Sequence, residues 1–323
     1  MTSAEPHPAA SPASLPGSLP PQGPHGAEDR QSRGVPSSDS WRVLVALAAE
    51  RLAGGGFDNA AQEARWLAER AGGFEPAELQ VELDQRPPPR AAASFHQMLE
   101  RRLAGEPLQY TLGRWGFRRL DLYLDRRVLI PRPETEVLVE RALAECDRMG
   151  ATTAVDLGTG SGAIALALAV ERPALAEIWA TDVAEGALAV ARANLAGLGR
   201  QATRIRLVAG SWFAALPTSL RSRIDVVVSN PPYVAEGEMA DLPEEVRAWE
   251  PHEALVSGPE GLDDIAAIVG EAPAWLARPG TLLLEMAPHQ TRRAEQLARA
   301  AGCTSASIWP DLAGRDRILC ARW

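Results

Sequence analysis

The chain has 323 residues, 46% of them hydrophobic, and a net charge of −9. That length supports one substantial domain with a smaller companion, and no apolar run approaches the length that spans a bilayer, so no membrane association is expected. The acidic balance lacks the basic footprint that holding extended duplex nucleic acid needs, so no stable nucleic-acid binding is expected either.

Residues 1–40 are dominated by Pro, Ser, Gly, Ala and His without apolar periodicity. Such a segment cannot offset the entropy of ordering and reads as a disordered leader. Order is predicted to begin near Trp41. Asp39 or Ser40 can cap a helix that carries Trp41, Leu44, Leu47, Ala48 and Leu52 at helical spacing, and Gly54, Gly55 and Gly56 stop it. Further helices are predicted over 59–70, from Pro76, and over 91–104 after the break at Pro87, Pro88 and Pro89. These make a small helical domain over 41–106. Short apolar alternations with Gly113 and Gly116 between them predict a β-hairpin or bridging segment over 107–130.

A catalytic domain is expected over 131–323. A helix starts at Pro133 and Glu134. Strands are predicted over 153–157, 177–181, 205–208, 224–229, 281–285, 305–309 and 317–321. Helices over 161–171, 184–195, 262–277 and 290–301 are interleaved with them. This rhythm is that of an α/β fold, a seven-stranded doubly wound sheet of Rossmann-like type, with ligands at the carboxyl ends of its strands.

Two motifs fall at those ends. Asp156-Leu157-Gly158-Thr159-Gly160-Ser161-Gly162 lies where the first strand turns into a helix. Glycines there let the backbone turn tightly and approach a ligand beside free N–H groups. Residues 158–163 also match the dinucleotide spelling G-x-G-x-x-A. A pyrophosphate would meet the Asp156 carboxylate at a Coulomb cost, whereas the cationic sulfonium and ammonium of S-adenosylmethionine would be favoured by it. Asp182, at the end of the second strand, can accept bonds from both ribose hydroxyls, which suits either a methyl donor or NAD. A tight turn that binds nothing is the plain alternative.

The second motif is Asn230-Pro231-Pro232-Tyr233, after the fourth strand. Its prolines fix φ and donate no hydrogen bond, so the loop is stiff. The Asn230 side-chain oxygen and the Pro231 carbonyl can accept both N–H bonds of a planar amide or aromatic amine, with Tyr233 packed against the flat group. The nitrogen lone pair is then left facing an electrophilic methyl. An ordinary Asn-Pro turn is the alternative. Cys146, Cys303 and Cys320 are far apart and odd in number, and the five histidines (His7, His25, His96, His252, His289) have no ligand spacing. No metal and no disulfide framework are expected, and a reducing cytoplasm fits.

With these motifs, residues 41–323 resemble the class I methyltransferases, specifically the release-factor glutamine methyltransferases (the PrmC/HemK family). The likeness includes Pro107-Leu108-Gln109-Tyr110, Leu129-Ile130-Pro131-Arg132-Pro133-Glu134-Thr135-Glu136, Ser211-Trp212-Phe213, Glu250-Pro251 with Ala254-Leu255, Gly261-Leu262 and the stretch from Asp311 to Arg317. The resemblance implies S-adenosyl-L-methionine as cofactor, against Asp156, Gly158, Thr159, Gly160, Ser161, Gly162, Asp182, Trp212 and Asn230. It implies a substrate glutamine held by Asn230, Pro231, Pro232 and Tyr233, and class 1 peptide-chain release factors, methylated on the Gln of their Gly-Gly-Gln tip, as protein partners that the helical domain over 41–106 helps to dock; a monomer is expected. Enzymes for a ribosomal-protein glutamine share the Asn-Pro-Pro-Tyr loop but differ around 131–136. Trp212 contacts either adenine or only the core; Arg132 and Glu134 either pair at the helix start or shape the site floor. Glu285-Met286-Ala287 departs from a family pattern that ends in Gly, which would alter that turn.

A methyltransferase for adenine or guanine amines, an NAD-type oxidoreductase and a non-catalytic module with the same fold are the competing readings. Deleting residues 1–38 is expected to leave methyl transfer intact, and a large loss of activity in the truncated protein would show that the leader is functional.

Overall fold

The computed structural model describes residues 39–323. The leader expected over 1–40 lies, up to residue 38, outside them. Five helices come first: α1 (Trp41–Gly54), α2 (Ala60–Gly72), α3 (Pro76–Glu82), α4 (Pro89–Leu103) and α5 (Leu108–Leu112). Ser40 is the N-cap of α1 but makes no side-chain cap bond. Trp41 packs edge-on against Phe74 and Phe95, with ring centroids 5.7 and 6.0 Å apart. Leu44, Leu52, Leu67 and Leu99 complete this core, and Leu108 and Leu112 belong to it too.

Helical structure therefore reaches past the expected boundary at 106. Pro107 starts α5, and Gly113, at φ 66°, closes it. Helix α5 was hidden in the alternating segment because Leu108 and Leu112 are four residues apart, a spacing that puts both on one face of a helix or of a strand. The hairpin itself is shorter than expected: β1 (Arg114–Phe117) and β2 (Leu120–Tyr123) pair antiparallel. Arg118 at its turn donates to both carboxylate oxygens of Glu171, at 2.6 and 2.7 Å.

The rest alternates: α6 (Pro133–Met149), β3 (Thr153–Leu157), α7 (Ala163–Glu171), β4 (Glu177–Asp182), α8 (Glu185–Ala196), β5 (Ile205–Ala209), β6 (Ile224–Ser229), α9 (Glu244–Trp249), α10 (Asp263–Trp275), β7 (Leu276–Glu285), α11 (Thr291–Ala300), β8 (Ser305–Pro310) and β9 (Asp316–Arg322). Seven strands form one sheet in the order β5-β4-β3-β6-β7-β9-β8. The first five run parallel, and β9 is antiparallel to both β7 and β8. Side chains alternate between the two faces. Ala154, Val226 and Val228 face the layer of α6, α7 and α8; Val155, Leu157 and Val227 face that of α10 and α11. Both faces are covered, so these strands read as continuous apolar runs.

The chain passes from β3 to β4 on one side and reaches β6 on the other. The loops after β3 and β6 thus diverge from adjacent strand ends, the place where open α/β sheets bind ligands. Asn194 on α8 ties the hairpin to this edge: its Nδ2 donates to Tyr123 O at 3.1 Å and to Ser161 O at 2.9 Å. Among the described residues no helix is long and apolar enough to cross a membrane.

Candidate active site

Leu157 and Ser229 are paired at the ends of β3 and β6, and the Ser229 hydroxyl donates to Leu157 O at 2.6 Å. The glycine loop and the Asn-Pro-Pro-Tyr loop are thereby fixed side by side. Gly158, Gly160 and Gly162 all have positive φ. At Gly158 the requirement is double, because a Cβ there would also lie 3.1 Å from the Trp212 ring.

One cleft lies across this edge. Gly158, Thr159, Gly160, Ser161, Asp182, Trp212, Asn230 and Pro232 line it. The structure therefore gathers eight of the expected site residues around one space. It adds Val128, Leu129, Pro131 and Thr135 from the segment before and within the first turn of α6, and Pro251, Glu253, Ala254 and Asp264 from beyond α9. Several of these stood in motifs matched by resemblance, but nothing in their spelling said that they share a cavity.

Asp182 accepts from Gly160 N–H at 2.8 Å and Ala184 N–H at 2.9 Å. A carboxylate has further lone pairs, so it can still receive ribose hydroxyls. Trp212 adopts φ 43° and its indole N–H donates to Asp264 at 3.2 Å. A bulky residue in that backbone region is strained, a condition that persists only where its surroundings impose it. The ring that packs on Gly158 is thus held as a wall of the cleft.

Asp156, expected beside the ligand, is fully buried and does not line the cleft. Its side chain shares a face of β3 with Ala154 and so points beneath α7, where Thr159 Oγ1 donates to it at 2.5 Å and Ala165 N–H at 3.1 Å. It braces the glycine loop from behind. Gly162 is also absent from the lining, since its backbone begins α7 beside Leu166.

Pro231 and Tyr233 lie outside the lining as well. The backbone of Tyr233 is clamped: its N–H donates to Leu255 O at 3.1 Å, and its carbonyl accepts from Gln290 Nε2 at 2.8 Å. Gln290 also donates to Gly261 O at 2.9 Å. A Cβ on Gly261 would stand 2.3 Å from Tyr233 O, so only glycine fits. Segments 254–258 and 261 thus stiffen the loop that the prolines begin.

Asn230 is held by a chain of hydrogen bonds. Its Nδ2 donates to Thr135 Oγ1 at 3.2 Å, and the Thr135 hydroxyl donates to Glu285 Oε2 at 2.8 Å. Asn230 Oδ1 is buried with no protein partner. Arg132 and Glu134 do not pair with each other: Arg132 binds the buried Glu250, and Glu134 receives Arg315 at 2.7 Å. Ala287 takes φ −71°, so the departure from Gly at that position leaves the turn unstrained. Among the described residues no cluster of His, Cys, Asp or Glu could hold a metal, and the three cysteines are free.

Burial pushes the Glu285 carboxyl up to about 7, against the pull of the Thr135 hydroxyl and Arg317, with Arg132 and Glu134 nearby. Burial likewise lifts Asp156 to about 7, with Thr159 and Ala165 opposing and Asp182 reinforcing. An acid whose pKa is raised by folding stabilises the fold below its unfolded value and loses that contribution as pH climbs through the folded one. Thermal stability of the ligand-free protein is therefore expected to fall as pH rises from about 5 to about 8, with Glu285→Gln flattening the slope. Glu145 and Asp125, held at about 2, act below that window. A melting temperature that is flat or rises across it would show that neither group is held neutral.

Residues 44–113 match the PrmC N-terminal domain, and residues 133–246 match the methyltransferase small domain. Fold, cleft and matched domain together define a methyltransferase. The chain is 47% identical over 289 residues to the release factor glutamine methyltransferase of Cereibacter sphaeroides, across 88% of this chain and 98% of that protein. With its counterpart from Moorella thermoacetica it shares 42% identity over 282 residues, across 87% and 97%. A solved hMettl16 catalytic domain, in complex with a MAT2A 3'UTR hairpin, shares the fold at a TM-score of 0.50 and 18% identity, over 68% of this chain and 81% of that one. The chain belongs to the release factor glutamine methyltransferase family.

Proposed function

We propose that this chain methylates the side-chain amide nitrogen (N5) of the glutamine in the Gly-Gly-Gln tip of class 1 peptide-chain release factors, as a cytoplasmic monomer that uses S-adenosyl-L-methionine. One observation carries the acceptor chemistry: Asn230 lines the cleft with a buried side-chain oxygen that no protein group satisfies. A buried acceptor left unpaired costs free energy, and a ligand N–H would relieve it.

The cleft fits the cofactor's chemistry. Asp182 suits ribose hydroxyls, the Trp212 ring offers a flat apolar wall, and Asp182, Glu253 and Asp264 give the lining an acidic balance that suits a cation. When bound, the cofactor supplies an electrophilic methyl on a sulfonium. The remaining work falls to the protein. The glutamine amide is planar and weakly nucleophilic, and Asn230 Oδ1 and the Pro231 carbonyl accept its two N–H bonds. Pro232 and Tyr233 flank the flat group, and the stiff loop keeps both oxygens in place at little entropic cost. No strong base has to act first, because the amide proton becomes acidic once the methyl is transferred. Asp156 braces the glycine loop from beneath α7.

The names of the relatives favour a release factor over a nucleic-acid amine, and so does the net charge of −9. Incubation with the cofactor and a class 1 release factor should add the mass of one methyl group to its Gly-Gly-Gln peptide. Methyl incorporation into ribosomal RNA or a ribosomal protein, with none into the factor, would defeat the reading.

A further inference from the structure

Asn230 is an amide, and an amide has two ends that look alike in shape and opposite in chemistry. If the side chain turned over, its NH₂ would stand where the oxygen stands now and would repel an acceptor N–H. Nothing in the loop's own sequence selects one orientation. The selection comes from two other elements.

Thr135 lies in the first turn of α6 and is 4% exposed; Glu285 ends β7 and is 1% exposed. A hydroxyl has one proton and two lone pairs. With Glu285 ionised, or with its proton on the other oxygen, Oε2 can only accept, and the Thr135 proton is committed to it at 2.8 Å. Only lone pairs are left to face Asn230, and these accept from Nδ2 at 3.2 Å but would repel Oδ1. The carboxyl thus sets the direction of the chain, the hydroxyl passes it on, and the amide oxygen is left without a protein partner at the cleft. Thr135 lines the cleft while Glu285 does not, so Glu285 acts through its neighbour.

We propose that Thr135 and Glu285 are positioning residues that fix which face of the Asn230 amide meets the acceptor nitrogen. This rests on the reading of Asn230 given above, and its test separates the two. The first readout needs no activity. In labelled protein, the Asn230 side-chain NH₂ should show slowed hydrogen exchange, and Thr135→Val, which keeps the shape and removes the hydroxyl, should abolish that protection. Thr135→Ser should restore it. Glu285→Gln, which can turn either its oxygen or its NH₂ toward Thr135, should give an intermediate rate.

The second readout is single-turnover methyl transfer to a release factor. Thr135→Val should lower the rate by about 10-fold to 100-fold, the scale of a misplaced reacting group. Cofactor affinity should hold, and Thr135→Ser should recover most of the rate. Unchanged exchange in Thr135→Val overturns the proposal, as does a rate loss that Thr135→Ser fails to recover. Exchange in Glu285→Gln as slow as in the wild type removes Glu285 from it. A wild-type protein that leaves the release factor unmethylated defeats the proposed function instead, and exchange still decides the positioning claim.

Discussion

Asn230→Ala is expected to lower the turnover number by about 100-fold to 1,000-fold while cofactor affinity changes by less than about threefold, the pattern of a group that acts on the reacting centre. The asymmetry follows from the site. Gly158, Gly160, Asp182 and Trp212, which the proposed function assigns to the cofactor, line the cleft without a bond to the Asn230 side chain. Removal of Oδ1 deletes an acceptor that the ligand-free protein leaves unpaired, so the fold loses little with it. What is lost is the hold on the amide as its lone pair turns to the methyl. Cofactor binding by calorimetry and single-turnover methylation of a release factor separate the two effects. Equal losses in both would place Asn230 in cofactor binding alone. Asn230→Asp is a sharper variant, because its carboxylate keeps an oxygen at the position but no longer offers an NH₂ to Thr135.

Which parts of this site can be read from the chain follows from how far apart its members lie. The strands are legible because each is an apolar run closed by a turn signal, and the two loops because glycine and proline announce their backbone constraints locally. Seven of the eight expected residues that line the cleft, from these loops and from Asp182, follow from that reading, while Trp212 entered through the family resemblance. Where local signals conflict, the reading slips. Helix α5 is only five residues long and sits among aromatics and glycines that suggest a hairpin. Strand β7 starts at Leu276, inside what looks like the end of a helix. The burial of Asp156 has another cause: its place beside the glycine loop is visible in the sequence, but the face of β3 on which it falls is set by the helices packed above. The link from Thr135 to Asn230 spans 95 residues and that from Thr135 to Glu285 spans 150. No local pattern encodes such a contact; it appears only when β6, β7 and α6 meet at one edge.

The largest expected loss of stability lies outside the lining of this cleft, at Arg102. Its guanidinium grips Glu63 with two bonds of 2.7 and 3.1 Å, donates to Glu106 O at 2.9 Å, reaches Glu245 at 2.5 Å and stacks over the Phe57 ring. Arg102 is 5% exposed and Glu63 7%. Arg102→Ala strands a buried carboxylate on α2 and should destabilise the protein by about 3–5 kcal/mol, the usual cost of breaking a buried pair from one side. Arg102→Lys should recover little, since an ammonium cannot reproduce the planar fork. Arg102→Met combined with Glu63→Met removes both charges and should lie much nearer the wild type, because the pair's desolvation cost vanishes with it. Denaturant titrations of the four proteins decide the matter, and an Arg102→Ala protein within about 1 kcal/mol of the wild type would show that Glu63 finds water or another partner. The consequence extends to catalysis through Glu245, which sits on α9 in the segment between the Asn-Pro-Pro-Tyr loop and Glu250, the buried partner of Arg132. Arg102 thereby ties the helical region to the segment that follows the Asn-Pro-Pro-Tyr loop. Its loss should raise the KM for the release factor more than it changes binding of the cofactor.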